Sequence, residues 1–115
     1  MSDLEIEKEI QAKGLTAPRI TPAHIESVIE GEHYFTAAQG VIGSGGEVMS
    51  DDDSLRCLTF CVLTLKNGFT VTGESACASP ENFNAEIGRK IARENAVNKI
   101  WLLEGYLLKD KLATK

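Results

Sequence analysis

A small α+β domain is the fold class this sequence predicts, and three observations predict it. Two apolar runs, Leu58–Leu65 and Phe69–Thr72, flank Asn67-Gly68 as the arms of a hairpin would. A pattern of apolar residues at steps of three and four then continues from Phe83 to Leu107, as in one long helix. A third extended run, His33-Tyr-Phe-Thr-Ala37, lies upstream and supplies the strand the hairpin lacks. The expected result is a small three-stranded antiparallel sheet, strand plus hairpin, packed by a long C-terminal helix and a short N-terminal helix.

Residues 1–20 read as a flexible or weakly helical N-terminal arm. Leu4, Ile6 and Ile10 could form one short amphipathic face there, and Leu15–Ile20 reads as extended linker. Residues 21–115 read as a single α+β domain. Thr21-Pro22 opens a helix with a hydroxyl cap and a proline at its first position; Ile25, Val28 and Ile29 give it an apolar stripe, and Gly31 ends it. Residues 39–56 hold Gly43-Ser-Gly-Gly46 and Asp51-Asp52-Asp53 and too few apolar residues to fold alone, so a mobile loop is expected there. A loose hairpin between Val41-Ile42 and Val48-Met49 is the alternative.

Asn67-Gly68 is the pair best suited to a two-residue type I′ turn. That turn sets Lys66 against Phe69, Thr64 against Val71 and Val62 against Gly73. One face then collects Leu58, Phe60, Val62, Phe69 and Val71. The other collects Cys61, Leu63 and Leu65 opposite Glu74, Thr72 and Thr70, which leaves the first arm apolar on both faces.

Ser79-Pro80-Glu81 signals the start of the long helix, with Asn82 or Asn84 as later caps. Phe83, Ile87, Ile91, Ile100, Leu103 and Leu107 define its expected buried face. Gly88, Ala92 and Ala96 form a second row, small enough to let a sheet or another helix approach closely. Gly105 ends or bends the helix, since glycine inside one costs about 1 kcal/mol against alanine.

These stretches carry a resemblance. The run from Leu58 through Asn67-Gly68-Phe69 is followed by Gly73-Glu-Ser-Ala-Cys77 and Ser79-Pro-Glu-Asn-Phe83. Gly88-Arg-Lys-Ile-Ala-Arg-Glu-Asn-Ala96 and Ile100-Trp-Leu-Leu-Glu-Gly-Tyr106 complete the pattern. Together they resemble a family of short tailed-phage proteins, the phage "gp forty-nine / gene sixty-six" type. The resemblance is dense over the C-terminal half and reaches weakly to Ile25–Phe35; the Gln39–Arg56 loop is longer and richer in glycine than the family pattern. It implies a phage or prophage origin and a family that is functionally uncharacterised.

Composition excludes several classes. At 115 residues the chain is one domain's length, able to bury about 65% of its unfolded surface without staples. Its net charge of −5 argues against bulk nucleic-acid binding, which demands a basic surface. Met1-Ser-Asp-Leu-Glu-Ile-Glu lacks the basic region and apolar core of a signal peptide, and no stretch has the length of a membrane span. Action in the host cell cytoplasm is therefore expected, without membrane contact.

No motif announces catalysis, a metal or a cofactor. Cys57, Cys61 and Cys77 lack zinc spacing, and the type I′ register puts Cys77 on the opposite face from the other two; reduced, structural thiols are expected. His24 and His33 have no residue placed beside them to make a nucleophilic pair. Gly43–Gly46 lacks the Lys-Ser/Thr of a phosphate loop, and three adjacent aspartates on a flexible loop splay apart.

One polar constellation stands out. Arg89 and Arg93, one helical turn apart, could join the free amides and side chains of Ser79 and Asn82 to hold a carboxylate or phosphate. Salt bridges with Glu86, Glu94 or Glu74 are the plain alternative. Trp101 and Tyr106 fall off the apolar stripe, to cover the second sheet face or form a self-association patch. The functional expectation is a non-catalytic phage accessory protein that binds and modulates a host or anti-phage defence component, and that forms a homodimer. A binder of a small anionic or nucleotide-like ligand is the alternative, and an enzyme a distant third.

Overall fold

A computed structural model describes residues 2–15 and 17–114. Four helices are α1 (Asp3–Ala12), α2 (Pro22–Ser27), α3 (Ala37–Gly43) and α4 (Ala85–Ala113); three strands are β1 (Ile29–Thr36), β2 (Leu58–Leu65) and β3 (Thr70–Ala76). The strands form one antiparallel sheet in the order β1-β2-β3. It is the α+β fold that the periodicities predict: strand plus hairpin, a long C-terminal helix and a short N-terminal one.

The hairpin register differs from expectation by one residue. Leu63 faces Val71, Cys61 faces Gly73 and Thr64 faces Thr70. The Leu65 amide donates to the Phe69 carbonyl, and the Gly68 amide donates back to the Leu65 carbonyl. Gly68 alone takes a positive φ, +89°, while Asn67 stays at negative φ and its side chain accepts from the Phe69 amide. The connection is thus a three-residue loop, a type I turn closed by a left-handed glycine, and not a two-residue type I′ turn. Because side chains alternate, one residue of slip moves all of β3 to the opposite face.

That slip decides which face is the core. Cys61 and Leu63, fully enclosed, and Leu65 share a face with Val71 and Gly73, and α4 lies over it. The expectation that Cys61, Leu63 and Leu65 form a second apolar face, away from α4, is overturned. Ile25 of α2 joins the same cluster, so α2 packs on the α4 side. On the far side Phe35 and Phe60 stack at 5.6 Å, and Gly40 of α3 sits against Phe35.

α4 starts later and buries a different stripe than expected. Pro80–Asn82 makes a single 3-10 turn, Ser79 caps nothing, and Asn84 caps α4 by accepting from the Ile87 amide. The buried residues are Gly88, Ala92, Ala96, Val97 and Ile100. Ile87, Ile91 and Leu107, expected in the core, are 56%, 43% and 51% exposed. The reason lies at Gly73. A Cβ there would sit 2.2 Å from the Ala92 carbonyl oxygen and 2.3 Å from the Ala96 amide nitrogen. Helix and strand touch backbone to backbone, which only the row of smallest side chains permits.

Two upstream boundaries also move. β1 begins at Ile29 and runs through Gly31, so Ile29 and Gly31 are strand and not the end of a helix. Residues 37–43, which include the start of the expected loop, form α3, closed at Thr36 by a capping box with Gln39. α1 is likewise a capped helix, Ser2 and Glu5 exchanging bonds.

Candidate functional site

The expected polar constellation is split in space. Arg93 sends its guanidinium to α2 and β1: Nη2 and Nη1 donate to both Glu26 carboxylate oxygens at 2.8 and 3.2 Å, and Nε donates to Glu32 Oε1 at 2.9 Å. Tyr34 donates its hydroxyl to the other Glu32 oxygen at 3.0 Å. The clamp ties α4 to the first strand and the helix before it. Its electrostatics follow from the pairing: Arg93 holds the Glu32 carboxyl below the usual carboxylate range, and burial, reinforced by Glu32, pushes the Tyr34 phenol up. Burial likewise raises the Cys61 thiol.

Arg93 is thus salt-bridged, with partners other than Glu86, Glu94 or Glu74. Arg89 makes no ion pair among the described residues. Asn82 lines a small cavity of about 290 Å³ with Cys57, Cys77, Phe83 and Ile87, and neither arginine lines it. The Ser79 carbonyl accepts from the Asn82 amide at 3.0 Å and from the Cys77 thiol at 3.1 Å, and its side chain caps nothing. The four residues do not converge on one anion.

The cysteines need a parallel correction. In the observed register the Cys77 amide donates to the Cys57 carbonyl at 3.1 Å, so the two residues are neighbours at the end of the hairpin and not on opposite faces. All three thiols are free, and among the described residues no group of three or more His, Cys, Asp or Glu side chains could hold a metal. His24 Nε2 lies 3.0 Å from Glu104 Oε1 and joins α2 to α4.

Trp101 and Tyr106 part company. The Trp101 indole N–H donates to Asp3 at 3.1 Å, and the ring packs at the edge of the core, fastening α1 to α4. A second fastening comes from Arg19, whose two Nη groups fork onto Glu7; with help from Gln11 they pull the Glu7 carboxyl down to about 2.

Tyr106 lines an open groove at the far end of α4. At 29 residues α4 is about 43 Å long, whereas the strands span about 26 Å. None of its residues beyond Ile100 is buried. Between this overhanging end and the hairpin tip lies a groove of about 680 Å³. Val28, Leu65, Phe69, Leu103, Tyr106 and Leu107 line it, with Lys66 and Glu104 at its polar positions. Phe69 is 57% and Tyr106 74% exposed. Sequence periodicity assigned Leu103 and Leu107 to the core and missed Phe69 as a groove residue. A readable signal was present: Ile100-Trp-Leu-Leu-Glu-Gly-Tyr-Leu-Leu108 is apolar on nearly every side, and such a helix is ordinarily covered all round.

No described helix is long and apolar enough to cross a membrane. No curated protein and no solved structure matches the chain. A family model does: the one described as phage protein (N4 Gp49/phage Sf6 gene 66) family, over residues 20–112. That span takes in β1, the hairpin, the Arg93 clamp, the groove and nearly all of α4, and the chain is a member of this phage protein family.

Proposed function

We propose that this phage protein is a non-catalytic accessory factor that works in the cytoplasm of the host cell by docking onto a host protein, altering or blocking a host or defence component. The observation that carries the reading is the groove under the end of α4. It is open, about 680 Å³ in volume, and lined almost wholly by aliphatic and aromatic side chains. A groove of this composition suits the apolar face of an amphipathic segment, where a few aromatic and leucine anchors supply most of the affinity. The chain's net charge of −5 favours a partner whose remaining surface is basic. Arg93, the strongest candidate for holding a small anion, is already engaged by two carboxylates, which supports a protein partner over a small-molecule ligand.

The test compares capture from host-cell lysate by the wild-type chain and by Leu107→Glu, whose site is 51% exposed and whose fold is checked by circular dichroism. The expected result is a protein held by the wild type and lost with the variant, then shown with purified components to bind the variant at least tenfold more weakly. A partner held equally by the folded variant would overturn the groove assignment. A small anionic ligand at one equivalent in native mass spectra of wild type would favour the alternative.

A further inference from the structure

β3 is an edge of the sheet, and its hydrogen-bond register shows which backbone groups point outward. The Leu65 amide donates to the Phe69 carbonyl and the Cys77 amide to the Cys57 carbonyl, so the odd-numbered residues of β3 bond to β2. The amides and carbonyls of Thr70, Thr72 and Glu74 therefore face away from the sheet. An independent contact agrees: Asn95 Nδ2 reaches from α4 and donates to the Glu74 carbonyl at 2.8 Å, filling the acceptor a fourth strand would fill. Thr70 and Thr72, both exposed, have no such partner among the described residues.

α4 walls this edge along its length. Ile87, Ile91, Asn95, Lys99 and Leu102, at the three- and four-residue steps of one helical row, follow β3 from end to end. Ile87 and Ile91 overlook Ser75–Ala78 across a cleft of about 290 Å³. Lys99, Leu102 and Leu103 overlook Phe69–Thr72 across one of about 320 Å³, where Leu102 is 77% exposed. A strand added here would gain ladder bonds from the edge and side-chain pockets from the helix.

We infer that the host partner adds an extended segment to β3, between Thr70 and Ala76, as a fourth antiparallel strand lying under this row of α4. The inference rests on the reading that the chain docks on a host protein, and it names the docking element. Side chains of such a strand alternate between faces. Those opposite Val71 and Ser75 point toward α4 into the two clefts, and the one between them meets Asn95 over Gly73. Asn95, itself exposed, yields the Glu74 carbonyl to the incoming amide. On the other face Glu74 is exposed and in no ion pair among the described residues. The segment is thus apolar at two positions four apart, small or polar midway between them, and basic opposite Glu74, since opposite charges across a ladder attract. Phe69, Leu102 and Leu103 also line the groove under the end of α4, so one bound chain can occupy both.

The probe is a random-peptide display library panned on the full chain. Enriched peptides should carry the apolar pair four residues apart, and their binding should protect the Thr70 and Thr72 amides from deuterium exchange. Thr72→Pro removes an amide that β2 does not use, a change edge strands tolerate, and should weaken the enriched peptides by at least about tenfold. Thr72→Val keeps the amide and should bind within about twofold of wild type. Circular dichroism checks both folds, and the exchange measurement on wild type decides the matter if Thr72→Pro does not fold. Peptides held equally by folded Thr72→Pro, Thr70 and Thr72 amides left unprotected in the complex, or no enrichment at all would each overturn strand addition. Leu107 lines neither cleft beside β3, so host-protein capture lost through Leu107→Glu stands or fails separately.

Discussion

The contact that organises the fold is the seat of α4 on Gly73, and Gly73→Ala tests it. A methyl group there would lie 2.2 Å from the Ala92 oxygen, 2.3 Å from the Ala96 nitrogen and 2.9 Å from the Asn95 carbonyl carbon. All three are backbone atoms, so no rotamer change relieves the clash. The helix must lift by on the order of 1 Å to restore ordinary contact distances, and a gap of that size forfeits a quarter to a half of each dispersion contact it opens. Those contacts join Ala92, Ala96 and Ile100 to Leu63 and Val71. Overpacking usually costs about 1–3 kcal/mol, and with rigid atoms on both sides the upper end applies, about 3 kcal/mol. Alanine's restriction of the unfolded chain returns at most about 1 kcal/mol, leaving a net loss of roughly 2–3 kcal/mol. For a domain of this size that is a fall in Tm of about 8–20 °C. Urea denaturation followed by circular dichroism measures it, with Gly105→Ala as the control. Nothing lies within 4 Å of a Cβ at Gly105, which sits mid-helix, so alanine there should stabilise by up to about 1 kcal/mol. A Gly73→Ala loss below about 0.5 kcal/mol would refute the backbone-to-backbone seat.

Three further outcomes follow from the geometry. Gly68→Val, at φ +89°, should cost roughly 1–3 kcal/mol in a thermal melt, while Asn67→Ala, at negative φ, should cost under about 1 kcal/mol; equal losses would restore the type I′ turn. Arg93→Gln leaves Glu26 and Glu32 without their cation and should cost about 1 kcal/mol, held low because both carboxylates are partly solvated, whereas Arg89→Gln should change stability by under about 0.5 kcal/mol. The Glu7 and Glu32 carboxyls are depressed in the folded chain, so their contribution is present above the ordinary carboxylate value of 4.5 and is lost as pH falls, toward about 2 for Glu7. Urea midpoints at pH 6 and pH 3 should therefore fall less in Glu7→Gln than in wild type, and an equal fall would show that Arg19 does not stabilise the fold through Glu7.

Strand number, hairpin and long helix were legible because each rests on a pattern many residues long. The register was not, since Asn-Gly serves both a two-residue I′ turn and a three-residue loop ending in a left-handed glycine. The two differ by a single residue, and with it the core face changes from Phe60 and Val62 to Cys61 and Leu63. The buried stripe of α4 was misread because periodicity weighs side-chain hydrophobicity, whereas close approach to Gly73 rewards absence of side chain. α3 carried a readable sign, Thr36 three residues before Gln39, within a stretch whose glycines argued for loop. Arg93 was legible as a paired cation, but its partners come from elements more than sixty residues away and no local spacing marks them. The groove exists because α4 outruns the sheet, and nothing in the helix's own sequence states where its support stops.

That unequal support gives α4 two dynamic regimes in one continuous rod. Amides from about Gly88 to Ile100 belong to the buried layer and should exchange with solvent deuterium only when the whole domain opens. Amides from Leu102 to Leu112 lie where α4 has left the buried layer, tied to α2 at Glu104 by His24, and should exchange through local fraying orders of magnitude sooner. The free end of the helix is therefore its own reporter: whatever settles on Leu103, Tyr106 and Leu107 will slow exchange there while leaving the first four turns unchanged.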